Sequence, residues 1–311
     1  MTPVRNFGFG ERGFAQRGLR PAGVGWVTVI AAGLLVTGCS AGLADGAGDA
    51  ALTPPVISAS ATAPVTGYDG LVGLPLSAYG TSEQDDNLLY RTRNALVVRC
   101  MKSRGHASHS GQGTTRIAAK TEEEKEAVHP ADAWGYIGRA TAKRIGFHIG
   151  VELPTGAPGL TGQAAKDFNT CSDEADKQLP NPNLAGSQGW KLTQGLFGKS
   201  FQLAAADSRV SAARKRWAAC MTAAGHPAQD PKQLAAGPWR TTKATDDEIA
   251  VATADASCTG SSRLAAVYFA VLTGYQRQLI SANTATLTAY QRQVREQTRR
   301  AARLLAQSPG T

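Results

Sequence analysis

The chain has 311 residues, with 33 Lys and Arg against 24 Asp and Glu, a formal charge of +9, and 42% hydrophobic residues. That length fits one large domain or two small ones. The basic excess is diffuse and accompanies no nucleic-acid recognition motif, which excludes nucleic acid as an expected partner.

The first segment reads as an export signal. Arg5, Arg12, Arg17 and Arg20 precede an uncharged stretch over 21–38 that contains Trp26, Val27, Val29, Ile30, Leu34, Leu35 and Val36. A charged region followed by an apolar one is the layout of a signal peptide. The stretch is short for a bilayer span and is interrupted by Gly23, Gly25 and Gly33, which argues against an uncleaved transmembrane helix. It closes on Val36-Thr37-Gly38-Cys39, which resembles the bacterial lipobox. The resemblance implies diacylglycerol on the Cys39 sulfur, cleavage before Cys39, acylation of the new amine, and attachment to the outer face of the cell membrane. Two acyl chains anchor firmly where one binds reversibly. Removing residues 1–38 takes away four Arg and one Glu, leaving 273 residues with a formal charge of +6.

Residues 40–66 are mostly Ala, Gly, Pro, Ser and Thr without apolar periodicity, so 39–66 is expected to be a lipidated, disordered tether. A flexible chain of that length reaches roughly 30 Å.

Beyond the tether the expected structure is mainly α. Thr81-Ser82-Glu83-Gln84 offers a helix start of capping-box type. Leu89, Leu96, Val97, Cys100 and Met101 follow at the spacing of one helical face, and Gly105 suits a left-handed helix stop. The segment Cys100-Met101-Lys102-Ser103-Arg104-Gly105-His106 matches Cys220-Met221-Thr222-Ala223-Ala224-Gly225-His226 at four of seven positions. The chain holds three methionines, and the two beyond the initiator each directly follow a cysteine. The run from Val210 through Trp217 to Cys220 again suits a helix. Thr245-Asp246-Asp247-Glu248 is a second capping-box candidate, opening a helix over 249–258. Over 261–306 there is no Pro, and Ile280, Leu287, Val294 and Ala301 recur every seven residues. One long helix or two stacked ones are expected there, packed within the molecule rather than in a coiled coil.

Besides Cys39 there are four cysteines, Cys100, Cys171, Cys220 and Cys258, in a compartment where disulfides persist. No pair has the Cys-x-x-Cys spacing of a redox or zinc site, and three pairings are open. Repetition, rather than geometry, selects Cys100 with Cys171 and Cys220 with Cys258, each pair stapling one of two related helical modules. The expected organisation is a signal peptide over 1–38, the tether over 39–66, a first module over 67–185, and a second over 186–311 ending in the long helix.

The lipobox, the tether, the Leu74-Pro75-Leu76-Ser77-Ala78-Tyr79 entry, both Cys-Met-x-x-x-Gly segments, the helix ending at Cys258 and the long C-terminal helix together resemble a group of uncharacterised actinobacterial lipoproteins. Trp134-Gly135-Tyr136 falls where that group has its aromatic and glycine-rich segment. The resemblance covers most of the mature chain and implies a scaffold; it carries no activity.

Candidate chemistry is sparse. His106 and His109, with His129 or His226, could be metal ligands, but no carboxylate or Cys stands at a fixed ligand offset, so exposed loop histidines are expected and no metal or cofactor. The repeat makes His106 and His226 the pair to watch as binding residues. There is no Gly-x-Ser-x-Gly elbow and no Ser-x-x-Lys with its partner motifs. The carboxylates of Asp85-Asp86, Glu122-Glu123-Glu124 and Asp246-Asp247-Glu248 could serve a wall glycosidase, but they suit loops and helix starts, where the helix dipole favours negative charge. Arg292, Arg295, Arg299, Arg300 and Arg303 form a basic face that could lean on anionic lipid or wall polymer. Among the tryptophans, Trp217 is expected in the core, whereas Trp190 and Trp239 lie in Gly- and Pro-containing stretches and are candidate binding residues. The leading expectation is a non-enzymatic envelope-binding or scaffold lipoprotein whose partner is a protein or an anionic wall polymer. An envelope hydrolase is the alternative; a solute-binding protein is disfavoured by the missing strand pattern.

Overall fold

The structure is a computed structural model that describes residues 52–111, 136–147, 159–181, 187–239 and 243–307. Cys39, the signal segment, His129, Trp134 and the Glu122-Glu123-Glu124 cluster lie outside the described residues. Within them the fold is mainly α, with no strand.

In chain order the helices are α1 (Gly67–Val72), a 3₁₀ turn (Pro75–Ala78), α2 (Glu83–Ser103), α3 (Arg139–Ile145), α4 (Gly162–Gln178), α5 (Gln188–Ala206), α6 (Ser208–Ala223), α7 (Pro231–Ala235), α8 (Asp246–Ser262), α9 (Leu264–Ala282) and α10 (Thr284–Ala306). The capping chemistry explains their starts. Thr66 and Asp69 close a reciprocal box at α1, and Ser82 and Asp85 close one at α2, so two orphan backbone donors are satisfied at each start. The α2 box therefore begins one residue later than the Thr81-to-Gln84 reading, because Thr81 is buried and Ser82 takes the cap. At α8 the Thr245 hydroxyl accepts from the Glu248 amide, but the Glu248 side chain turns into the interior.

The two repeated segments have the same backbone. His106 N–H donates to the Met101 carbonyl and Gly105 N–H to that of Lys102; His226 N–H donates to the Met221 carbonyl and Gly225 N–H to that of Thr222. Gly105 has φ 92° and Gly225 has φ 83°. Each helix thus ends in a Schellman cap, which places its αL residue where glycine is favoured. A Cβ at Gly225 would meet nothing within 4 Å, so Gly225→Ala carries a conformational cost alone, expected to be about 1 kcal/mol. Urea unfolding of the variant checks it.

Each repeated helix is stapled to a later one. Cys100 bridges to Cys171 in α4 with Cα atoms 5.6 Å apart, and Cys220 bridges to Cys258 in α8 at 5.5 Å. The methionine after each first cysteine is fully buried. Met101 packs with Leu89, Leu96, Val97, Cys171 and Ala301, the apolar face expected of α2 together with one residue of the heptad seam.

The two stapled pairs interlock. α2 and α4 pack against each other and α10 packs on α2; α6 and α8 pack against each other and α6 on α9, while α3, from the first half of the chain, packs on α8. α5 lies against both α9 and α10. Gly189 makes room for that contact, since a Cβ there would collide with the Tyr290 side chain. Gln276, fully buried in α9, accepts from the Leu76 amide at 3.0 Å and donates to the Ser200 hydroxyl at 3.2 Å, joining the 3₁₀ turn to α5. Of the two arrangements expected over 261–306, two helices are found: Asn283 separates α9 from the long C-terminal helix α10, and its side-chain amide donates to the Leu279 carbonyl. Leu287, Tyr290, Val294 and Ala301 of α10 are buried within this body.

Residues 52–66, the last part of the expected tether, run as a strap along the helical body. Thr53 exchanges hydrogen bonds with Gln278 at 3.1 and 2.9 Å, Arg209 donates to the Pro55 carbonyl at 2.7 Å, and Arg263 donates to the carbonyls of Ala59 and Ala61. Arg263 occupies the left-handed region, φ 57°, at the corner between α8 and α9. The body's side chains recognise the strap's backbone, which is why residues of such low complexity are held.

Candidate functional sites on the helical body

The twin helix ends share a backbone but not side-chain partners. The Nε2 of His106 lies 2.9 Å from Asp167 of α4, and Arg104 pairs with Glu174 at 2.8 Å and with Asp167 at 3.5 Å. The hydrogen bond from His106 is the main influence holding the Asp167 carboxyl below its usual range. His106 is 26% exposed at the side chain, so it is not the free loop histidine expected. His109 tilts against Phe168 with ring centroids 6.0 Å apart. Burial, and then the neighbouring His106, push its pKa down. The two histidines, Met101, Leu160 and Phe168 line a recess of about 540 Å³. His226 occupies the equivalent position after α6, half-buried, but no side-chain hydrogen bond or ion pair joins it to the described residues. The repeat does not bring His106 and His226 into one site, and no group of three His, Cys, Asp or Glu suited to a metal occurs among the described residues.

Both candidate tryptophans are tied into the fold. Trp190 lies in the first turn of α5 rather than in a loop; its N–H donates to the Ser187 cap and it is half-buried. Trp239 stacks on Phe147 at 5.8 Å and 25°, and its indole N–H donates to the Leu234 carbonyl at 2.9 Å. It packs with Ile137, Ala142, Phe147 and Ala252 in a small core. A Gly- and Pro-rich stretch therefore does not free a large ring that has an apolar wall and a carbonyl to satisfy it.

Sequence reasoning missed a carboxylate whose environment is strongly altered by burial. Asp255 is 1% exposed; it accepts from the Trp217 indole at 2.7 Å and from the Thr259 hydroxyl at 3.4 Å. Burial pushes its pKa up to about 7, against the opposing pull of those two donors. Burial, with a smaller contribution from Asp255, also raises Tyr136. Glu248, two helical turns earlier on α8, is fully buried as well and packs beneath Gly146. The signal that could have exposed both is their i, i+7 spacing with Ala252 between them, which puts them on the buried face of α8. Asp246 and Asp247 stay exposed at the helix start, as expected.

Arg292, Arg295, Arg299 and Arg303 follow one another at roughly one-turn intervals along the exposed side of α10 and, together with Glu296, line an open recess of about 490 Å³. Arg295 and Arg299 also reach a second recess of about 310 Å³ bounded by Gly80, Ser82, Gln291 and Thr298. Its wall is fixed by Gln291, whose amide donates to the Ala78 carbonyl at 3.1 Å. The nearby Asp85 carboxylate is engaged by the Ser82 amide and hydroxyl at 3.0 and 2.6 Å. This doubly recessed basic strip can take an extended anion.

No family model, curated protein or solved structure matches this chain.

Proposed function

We propose that the chain is a lipid-anchored, extracytoplasmic binding protein of the cell envelope, attached through Cys39 and acting without catalysis. The observation that carries this reading is the pair of disulfides, Cys100–Cys171 and Cys220–Cys258, because such bonds persist in oxidising compartments and follow a segment of export-signal layout. Of the carboxylates considered for a wall glycosidase, Glu248 is withdrawn into the interior, where it does not face a glycan. The candidates for contact with a partner are instead exposed or half-exposed groups on the helices.

The anchoring is tested by fractionating cells that express Cys39→Ala. The variant is expected to leave the membrane fraction and appear in soluble form. Retention in the membrane fraction would overturn the anchor. Hydrolysis of wall fragments by the purified protein would overturn the non-catalytic half.

A further inference from the structure

We infer that the arginine strip of α10 is a docking groove for a linear phosphodiester polymer of the envelope. The inference rests on the extracytoplasmic reading above for the polymer's presence and on the geometry of α10 for its recognition. Arg292, Arg295, Arg299 and Arg303 are exposed, and no ion pair joins their guanidinium groups to the described residues. Successive members stand three or four residues apart, which spaces the charges about 5 Å along the axis. A line of regularly spaced cations matches a polymer that repeats one anionic group.

The choice of side chain points the same way. Every basic residue of α10 is Arg and none is Lys, and the guanidinium fork matches the oxygens of a phosphate bidentately, whereas an ammonium is a point charge. The second recess places Ser82, Gln291 and Thr298 beside Arg295 and Arg299, with Asp85 also in its lining. The donors of the three neutral side chains are taken by Asp85, Ala78 and Val294, so the oxygens of Gln291 and Thr298 are left as acceptors, which suits the hydroxyls of the alcohol units that link phosphodiesters. Glu296 is the one carboxylate lining the first recess; its place beside the arginines disfavours a compact multivalent anion and leaves room for a chain whose charges are spread out.

A membrane surface is the less fitting occupant. A helix that lies on lipid inserts an apolar face, and the apolar face of α10, with Leu287, Tyr290, Val294 and Ala301, is buried in the body. The arginines border recesses rather than a flat face, which favours a strand of polymer over a plane of headgroups.

The test uses the mature chain, residues 39–311 with Cys39→Ala, expressed without the export segment, so that its preparation does not depend on the anchoring claim, which is read separately by fractionation. The chain is titrated with poly(glycerol phosphate), and separately with vesicles of phosphatidylcholine containing phosphatidylglycerol. The expected result is salt-dependent binding to the polymer. Adding Arg295→Gln with Arg299→Gln should weaken it at least about tenfold and lower the salt slope by about two. A charge-matched control, Lys215→Gln with Lys232→Gln on exposed positions elsewhere, should retain the parent affinity. Helical circular dichroism verifies that both variants fold. Equal losses in the two variants would reduce the effect to net charge and overturn the inference. So would the absence of polymer binding at low salt, or binding to vesicles without binding to polymer.

Discussion

Replacing Cys220 and Cys258 together by alanine is expected to lower the unfolding free energy by about 4 kcal/mol, and replacing Cys100 with Cys171 by slightly more. The bridges close sequence separations of 38 and 71 residues, and the stabilisation from restricting the unfolded chain grows only logarithmically with the loop. Each pair also loses packing, because Cys171 and Cys258 are both buried. Domains are stable by about 5–15 kcal/mol, so losing either bridge removes a large share. Double rather than single substitutions avoid leaving a reactive thiol. Urea unfolding of the two variants, beside the wild type with and without reductant, measures the effect; a loss below about 1 kcal/mol in both would show that the staples add little to the packing around them.

Asp255→Asn is expected to remove a pH dependence from stability and make the protein more stable than wild type at neutral and alkaline pH. The folded-state carboxyl titrates at about 7, above its ordinary 3.8, so the native state holds the proton more tightly than the unfolded one. Stability from this group is fully present below about pH 4 and is lost as pH rises to about 7, after which it is level. A shift of that size corresponds to about 4 kcal/mol at most. Asparagine keeps an oxygen to accept from the Trp217 indole but forms no charge. The difference between the unfolding free energies of the two proteins should therefore open between pH 4 and 7 and then stay constant. Profiles that run parallel over that range would show that Asp255 is not the group responsible.

The parts of this fold that were legible in the sequence are those where rare residues occupy obligatory positions. Cysteine followed by methionine, with glycine four residues after the methionine, marks a bridge, a buried plug and a left-handed stop, and both copies fold that way. The heptad of Leu287, Val294 and Ala301 was legible because a buried face must repeat with the helix. The break at Asn283 was not, since neither Pro nor Gly marks it and a local amide-to-carbonyl bond makes it. The strap was hidden because it is held chiefly through its backbone, with the Pro55 ring packed at Gly274 as its buried side chain, and neither contact leaves a periodic pattern. Asp255 was hidden because a buried carboxylate looks like any solvated one until Trp217, 38 residues earlier, is placed beside it. The candidate sites divide similarly: the arginine strip was legible as a charged helix face, but its recesses depend on the approach of the segment around Gly80 and Ser82, which no local pattern announces.

The strap also sets how this body would respond to load. A pull delivered from upstream of residue 52 meets the contacts at Thr53, Pro55, Ala59 and Ala61 in succession. Each contact is made to a side chain of the helical body and resists alone, so the segment peels stepwise before the load reaches the Thr66 cap. Residues 52–65 reach about 45 Å when fully extended, and peeling frees whatever part of that length the folded strap does not already span. Were the chain fastened at its N-terminal side, as proposed, that slack would let the body move outward and settle back without any helix coming apart.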